Sequence, residues 1–173
     1  MLEGTCVNLR IVEKEDLPQL AAWNNNPEFG GEFEPLEQLS LKETENWYNT
    51  LHAHEKWFII EKKDGTRVGQ IMHTLEGSCY TIGYTIVPSE RGKGYCTEAV
   101  KIMVDYLFLS TTVVRIQSGV SPRNAASLRV LEKAGFTKEG VKRKVCYARG
   151  IWHDEVMYSI LREEWKEPHL LNR

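Results

Sequence analysis

Val7, Leu9 and Ile11 are apolar and the residues between them polar, the alternation of a half-buried strand. The period then changes. Leu17, Leu20 and Ala21 make a helical stripe across residues 15–24, and Pro18 suits the first turn, where a missing N–H costs little. Residues 25–39, rich in Asn, Gly, Pro and Glu, predict an irregular loop. Ser40 and Glu43 form a capping-box pair ahead of a second helix, with Leu41, Trp47, Tyr48 and Leu51 on one face. Strands are expected at 57–61, 67–75 and 79–87. Turns fall at Asp64-Gly65 and Glu76-Gly77-Ser78, and Pro88 ends the third of these strands.

Ala99, Ile102, Met103, Tyr106 and Leu107 recur at i, i+3, i+4, i+7 and i+8, which predicts a helix over 95–109. A strand at 113–120 and a helix at 124–134, stopped by Gly135, follow. Two strands at about 136–147 and 152–161, joined at Arg149-Gly150, lead into a tail at 163–173 that is expected to fray. The order β-α-α-β-β-β-α-β-α-β-β is an α+β pattern of about seven strands and four helices, not a regular βαβ series.

Composition narrows this reading. With 173 residues, 42% hydrophobic and 27% charged, the chain fits one folded domain over 1–173. A formal charge of -2 argues against a phosphate-driven nucleic-acid binder. The basic cluster Lys138, Lys142, Arg143, Lys144 and Arg149 reads as a solvated strand face. No run approaches the ~20 apolar residues of a spanning helix, so no membrane partner is expected. Cys6, Cys79, Cys96 and Cys146 are scattered without metal-ligand spacing, which points to free thiols, no metal and a cytoplasmic location.

The chemistry is concentrated in Arg91-Gly92-Lys93-Gly94-Tyr95-Cys96-Thr97, between a strand and a helix. A helix N-terminus offers unpaired N–H groups and the positive end of a dipole, which suits a pyrophosphate. A P-loop requires Ser or Thr after Gly-Lys, and Gly94 stands there; the dinucleotide fingerprint requires a third glycine where Thr97 stands.

Arg91 to Cys96 resembles the [Gln/Arg]-x-x-Gly-x-[Gly/Ala] signature of GCN5-related N-acetyltransferases, the GNAT superfamily. Asn124-Ala125-Ala126-Ser127 and Gly135-Phe136 resemble the second half of that cofactor site, and the ending from Tyr147 to Trp165 resembles the RimJ/RimL branch, as does Trp23-Asn24-Asn25-Asn26-Pro27-Glu28. Cys96 departs from the pattern, standing where Gly or Ala is usual. It reads as a small packed residue, with a reactive thiol as the alternative.

The resemblance implies a GNAT fold with a mixed, mostly antiparallel sheet, acetyl-CoA as co-substrate, and direct acetyl transfer to an amine in a ternary complex. Ile86 and Val87 would hold the pantetheine arm, Arg91 to Thr97 the phosphates, and Asn124 the arm from the other side; Asn124 also fits an N-cap. The Val87 N–H is expected to stabilise the oxyanion. The usual tyrosine acid of the family falls at Leu131; the resemblance to the RimL branch, in which a Ser and a Glu serve, implies Ser127 as the candidate donor to the leaving thiolate. Glu34, Glu32 and His73 are candidate bases, Glu34 first, with water as the alternative.

The acidic loop Glu28, Glu32, Glu34 and Glu37 suits a cationic acceptor, either a protein N-terminus or a small molecule such as a polyamine, aminoglycoside or amino acid. A non-catalytic CoA sensor is the reading from another class. Trp152 and Trp165 either serve a homodimer surface or pack within the chain.

Overall fold

The computed structural model describes residues 1–51, 54–166 and 168. Eight strands form one sheet: β1 (Leu2–Glu3), β2 (Val7–Ile11), β3 (Glu55–Lys62), β4 (Arg67–Glu76), β5 (Cys79–Ile86), β6 (Arg115–Val120), β7 (Thr137–Ala148) and β8 (Ile151–Leu161). The helices are α1 (Leu17–Asn24), α2 (Pro27–Gly30), α3 (Leu41–Thr50), α4 (Tyr95–Ser110) and α5 (Ala125–Lys133). Among the described residues the architecture is the expected α+β, with two elements more than periodicity predicts. β1 is two residues long and α2 is four, both too short to show a period.

The strand order is β1-β2-β3-β4-β5-β6-β8-β7. Every pair is antiparallel except β5 with β6. Strand alternation sends Phe58 and Ile60 of β3 into the larger core, which α4 and α5 cover, and Ile59 into a second cluster with Val12, Leu17 and Leu20. Trp47, Tyr48 and Trp57 pack on that second cluster. Leu41, expected on the buried face of α3, is 45% exposed instead. The Ser40–Glu43 capping box forms in both directions, so the cap rather than Leu41 fixes where α3 begins.

Asp16, 1% exposed, accepts two hydrogen bonds from Arg10 at 2.8 and 2.9 Å and pairs with Arg67 at 3.2 Å. Burial is the largest influence and pushes its carboxyl up, but the Arg10 bonds, the Glu13 N–H and the charges of Arg10 and Arg67 together outweigh it and hold the carboxyl below the usual range.

The start of the tail is anchored rather than frayed. Trp165 packs against Phe108, ring centroids 5.5 Å apart and tilted by 44°, and its indole donates to Asp105 at 2.8 Å, so it packs within the chain. Arg162 donates to the carbonyls of Phe108, Thr111 and Val113, which tether β8 to the end of α4. Residues 167 and 169–173 of the expected tail lie outside the described residues. Trp152 is 54% exposed, beside Tyr147 on the β7–β8 hairpin.

Candidate active site

β5 and β6 begin as neighbours and then part. Tyr80 pairs with Ile116 and Thr81 with Gln117, and no later residue of the two strands is paired. Ser118 marks the fork, where its hydroxyl donates to the Ile82 carbonyl at 3.0 Å in place of a ladder bond. Beyond it a cleft of about 800 Å³ opens, lined by both strands, the 91–97 loop, α5, the 29–34 loop and the β7–β8 hairpin.

The backbone of β5 faces this cleft with a definite alternation. The Val87 N–H donates to the Val68 carbonyl at 2.9 Å and continues the β4–β5 ladder. Val87 is therefore not the oxyanion donor expected from sequence, and it does not line the cleft. In an antiparallel ladder alternate residues direct their backbone groups to opposite sides. Ile86 and Tyr84 consequently point theirs toward β6. The Ile86 carbonyl shows the direction, since it accepts from Arg91 Nε at 3.0 Å on that side. The Ile86 N–H, rather than that of Val87, is the backbone donor turned toward the cleft. The signal missed was one of register, which alternation alone does not assign.

The glycine loop ends at Gly94, which caps α4 in a left-handed conformation with φ of 88°; Gly92 has φ of 77°. No side chain caps α4, so the first-turn N–H groups of Tyr95, Cys96 and Thr97 face the cleft without a side-chain acceptor. This arrangement fits the pyrophosphate of a CoA thioester: backbone donors at a helix start, next to an unpaired strand edge on which an extended arm can lie. Lys93 is paired with Glu90 at 2.9 Å.

Arg91 differs from expectation. Its guanidinium donates to the carbonyls of Glu28 and Phe29 at 2.8 and 2.7 Å, in addition to Ile86. The side chain is committed to backbone and clamps α2 to the glycine loop. Arg149 repeats the device while staying exposed as its sequence context predicts, donating to the carbonyls of Pro27, Gly31 and Glu34. The Cys96 thiol is pushed up to about 12 by burial, which overrides the helix N-terminus and leaves a packed, unreactive residue.

Ser127 and Asn124 both reach the cleft. Asn124 accepts from the Ser127 N–H at 3.1 Å, so it is the N-cap of α5. The Ser127 hydroxyl lies 2.8 Å from the Tyr84 phenol, a neighbour 43 positions away that no local pattern reveals.

Of the candidate bases, Glu34 lines the cleft. Glu34 is an exposed residue, yet desolvation by its surroundings raises its pKa, and repulsion from Glu155 and Glu37 adds to this. Glu155, missed in sequence, reaches the cleft from β8. Its carboxylate occupies the space that a side chain at Gly119 would fill, so Gly119 makes room for it. Glu32 lines the cleft but is paired with Arg123 at 3.2 Å. His73 is not a base of this site. It is 2% exposed among Phe58, Tyr80 and Tyr106, and burial, with Lys56 nearby, pushes it down to about 4.

A sheet that parts beside a glycine-capped helix defines a class: enzymes that hold an acyl-CoA in the parting and carry the acyl group to an acceptor. The chain belongs to the GNAT acetyltransferases, since residues 7–137 match the family model for the acetyltransferase (GNAT) domain. The probable N-acetyltransferase YjcK of Bacillus subtilis is 33% identical over 184 residues, covering 95% of this chain and 98% of that protein. The [ribosomal protein uS5]-alanine N-acetyltransferase of Escherichia coli is 26% identical over 172 residues, covering 91% and 88%. Among solved structures, Mycobacterium smegmatis RimJ in complex with CoA-disulfide has a TM-score of 0.81 at 26% identity, covering 95% of this chain and 86% of that one. The protein is an acetyl-CoA-dependent N-acetyltransferase. No described helix is long and apolar enough to cross a membrane.

Proposed function

We propose that the acceptor is the α-amine at the N-terminus of a protein, entering the cleft at its carboxylate-lined end. The observation that carries this reading is the placement of Glu34 in the wall of the cleft that Ser127 also lines, with Glu155 near enough to raise its pKa. An incoming ammonium is attracted by the two carboxylates and must lose a proton before it attacks. An α-amine has a pKa of about 8 and a lysine amine about 10.4. A carboxylate, even one raised by burial, is a modest base, and it suits the less basic of these amines. Similarity to the uS5-alanine enzyme supports the same choice.

In this reading acetyl-CoA supplies the activated acetyl group. Glu34 takes the amine proton, directly or through water. The Ile86 N–H stabilises the oxyanion, and the first turn of α4 holds the phosphates. Ser127 faces the departing sulfur. The carboxylate wall also favours a second reading, in which a polyamine binds with one amine at the reaction point and another on Glu155.

Thiol release from acetyl-CoA separates these readings when followed across N-terminal peptides, spermidine, an aminoglycoside and free amino acids. The expected result is that peptides with a free α-amine turn over at least tenfold faster, by kcat/KM, than any small amine. Preference for spermidine by that margin moves the assignment to the second reading. Cofactor binding without turnover of any acceptor indicates a CoA sensor.

A further inference from the structure

Ser127 cannot set its own orientation. It is the third residue of α5, its backbone N–H is occupied by Asn124, and its hydroxyl is free to rotate about one bond. Tyr84, on the strand that faces it across the cleft wall, lies 2.8 Å from the hydroxyl and 3.3 Å from the carbonyl of the same serine. We infer that Tyr84 is a positioning residue: its phenol donates to Ser127 and thereby turns the Ser127 O–H toward the leaving sulfur.

The direction of the bond follows from the groups present. At 2.8 Å either hydroxyl can donate to the other; the phenol is much the more acidic O–H and hence the better donor to Oγ, and the Ser127 carbonyl, which can only accept, lies at 3.3 Å as a weaker second acceptor. One proton shared between the carbonyl and Oγ satisfies both distances, a three-centre arrangement. The phenol is part-buried, and burial keeps it protonated and hence a donor throughout the working pH range. With a donor directed at its lone pair, Oγ must aim its own hydrogen elsewhere, and the cleft is the open side.

The step balances without a separate acid. The amine nitrogen forms a bond to the acetyl carbon, and the C–S bond breaks with its electron pair going to sulfur. The amine proton goes to the base described above. Ser127 keeps its proton and donates a hydrogen bond to the thiolate, because an alkoxide is a far stronger base than a thiolate of pKa about 8.5. The thiolate takes a proton from water after release. This also accounts for Leu131 standing where the family has its tyrosine acid: a phenol still serves the sulfur, one residue removed and from the opposite wall.

The proposal rests on Ser127 acting at the sulfur, and its test keeps the two claims apart. Tyr84→Phe, Ser127→Ala and the double variant would be compared for kcat, for KM of acetyl-CoA and for melting temperature. Each single variant is expected to lose about tenfold in kcat with KM unchanged, the loss of one hydrogen bond in the transition state. The double variant should be no slower than Ser127→Ala, since the phenol acts only through the serine. Incorporation of 3-fluorotyrosine at position 84 keeps the O–H and the shape, and should keep kcat within twofold even where Tyr84→Phe lowers the melting temperature. Tyr84→Phe retaining full kcat beside a slow Ser127→Ala overturns the role of Tyr84, as do losses that multiply in the double variant. Ser127→Ala retaining full kcat overturns the serine reading itself, and the Tyr84 role with it.

Discussion

The carboxyl of Glu34 sits in a cleft wall whose burial raises its pKa, helped by Glu155 and Glu37. A base acts when deprotonated, so activity should fall as pH drops through this raised pKa and recover above it. Glu34→Gln should cut kcat/KM by ten- to a hundredfold near neutral pH and remove that acidic limb from the pH–rate profile. The same variant should melt no lower than the parent at pH 7. A carboxyl whose folded pKa is raised destabilises the fold where it is ionised, and glutamine removes the charge.

His73 has the opposite sign. Its pKa falls from 6.5 to about 4, so the unfolded chain binds the extra proton between those values. The contribution is fully present above pH 6.5 and is lost as pH falls through 4, and amounts to about 3 kcal/mol. Among the described residues neither ring nitrogen has a hydrogen-bond partner, which adds to the case for an apolar replacement. His73→Phe should flatten the acid limb of stability between pH 6.5 and 4, measured as urea midpoints across that range. Both groups are titratable residues in a plausible sequence position; only the packing around them decides that one serves the site and the other the core.

At the scale of elements, three arginines do the joining. Arg162 binds the end of α4, Arg149 the 27–34 segment, and Arg91 the end of α2 to the glycine loop. Each donates to backbone carbonyls, so each works regardless of the side chains it meets. Arg91→Ala should loosen the acceptor wall and the phosphate loop together. KM is expected to rise severalfold for both substrates, with deuterium uptake increased over 27–31 by exchange mass spectrometry. A role confined to phosphate would raise KM for acetyl-CoA alone.

Much of this level was legible in the chain. The stripe from Ala99 to Leu107 placed α4, and the segment Arg91 to Cys96 with Asn124 and Ser127 fell together on the wall of one cleft. What was not legible depended on register or on distance along the chain. Val87 rather than Ile86 was expected to donate because alternation does not say which residue faces which neighbour. Tyr84 looked like one more strand aromatic until α5 brought Ser127 against it. Arg91 matched a phosphate-site pattern, while its guanidinium found the carbonyls of an α2 too short to predict.

For the whole molecule, the sheet contains a strand edge in its middle, where β5 past Thr81 stays paired to β4 but has no ladder partner on its β6 side. A ligand that binds only the folded form stabilises by about 2.7 kcal/mol at a hundred times its Kd. For a chain of this size that is a rise of roughly 5–10 °C in Tm. Acetyl-CoA should give such a shift in a thermal melt. Gly94→Asp, with bulk and negative charge at the cap of α4, should abolish most of it.

The parting of β5 and β6 also separates what can drift from what cannot. In the proposed reading the donor is held by main-chain groups, and an exchange of side chains along the strands leaves those groups where they are. The acceptor, in the same reading, is met by Glu34 and Glu155, carried on a loop and a hairpin whose side chains are replaceable one at a time. A lineage built this way can change its acceptor without relearning its donor, and the 33% identity to YjcK leaves room for that much divergence.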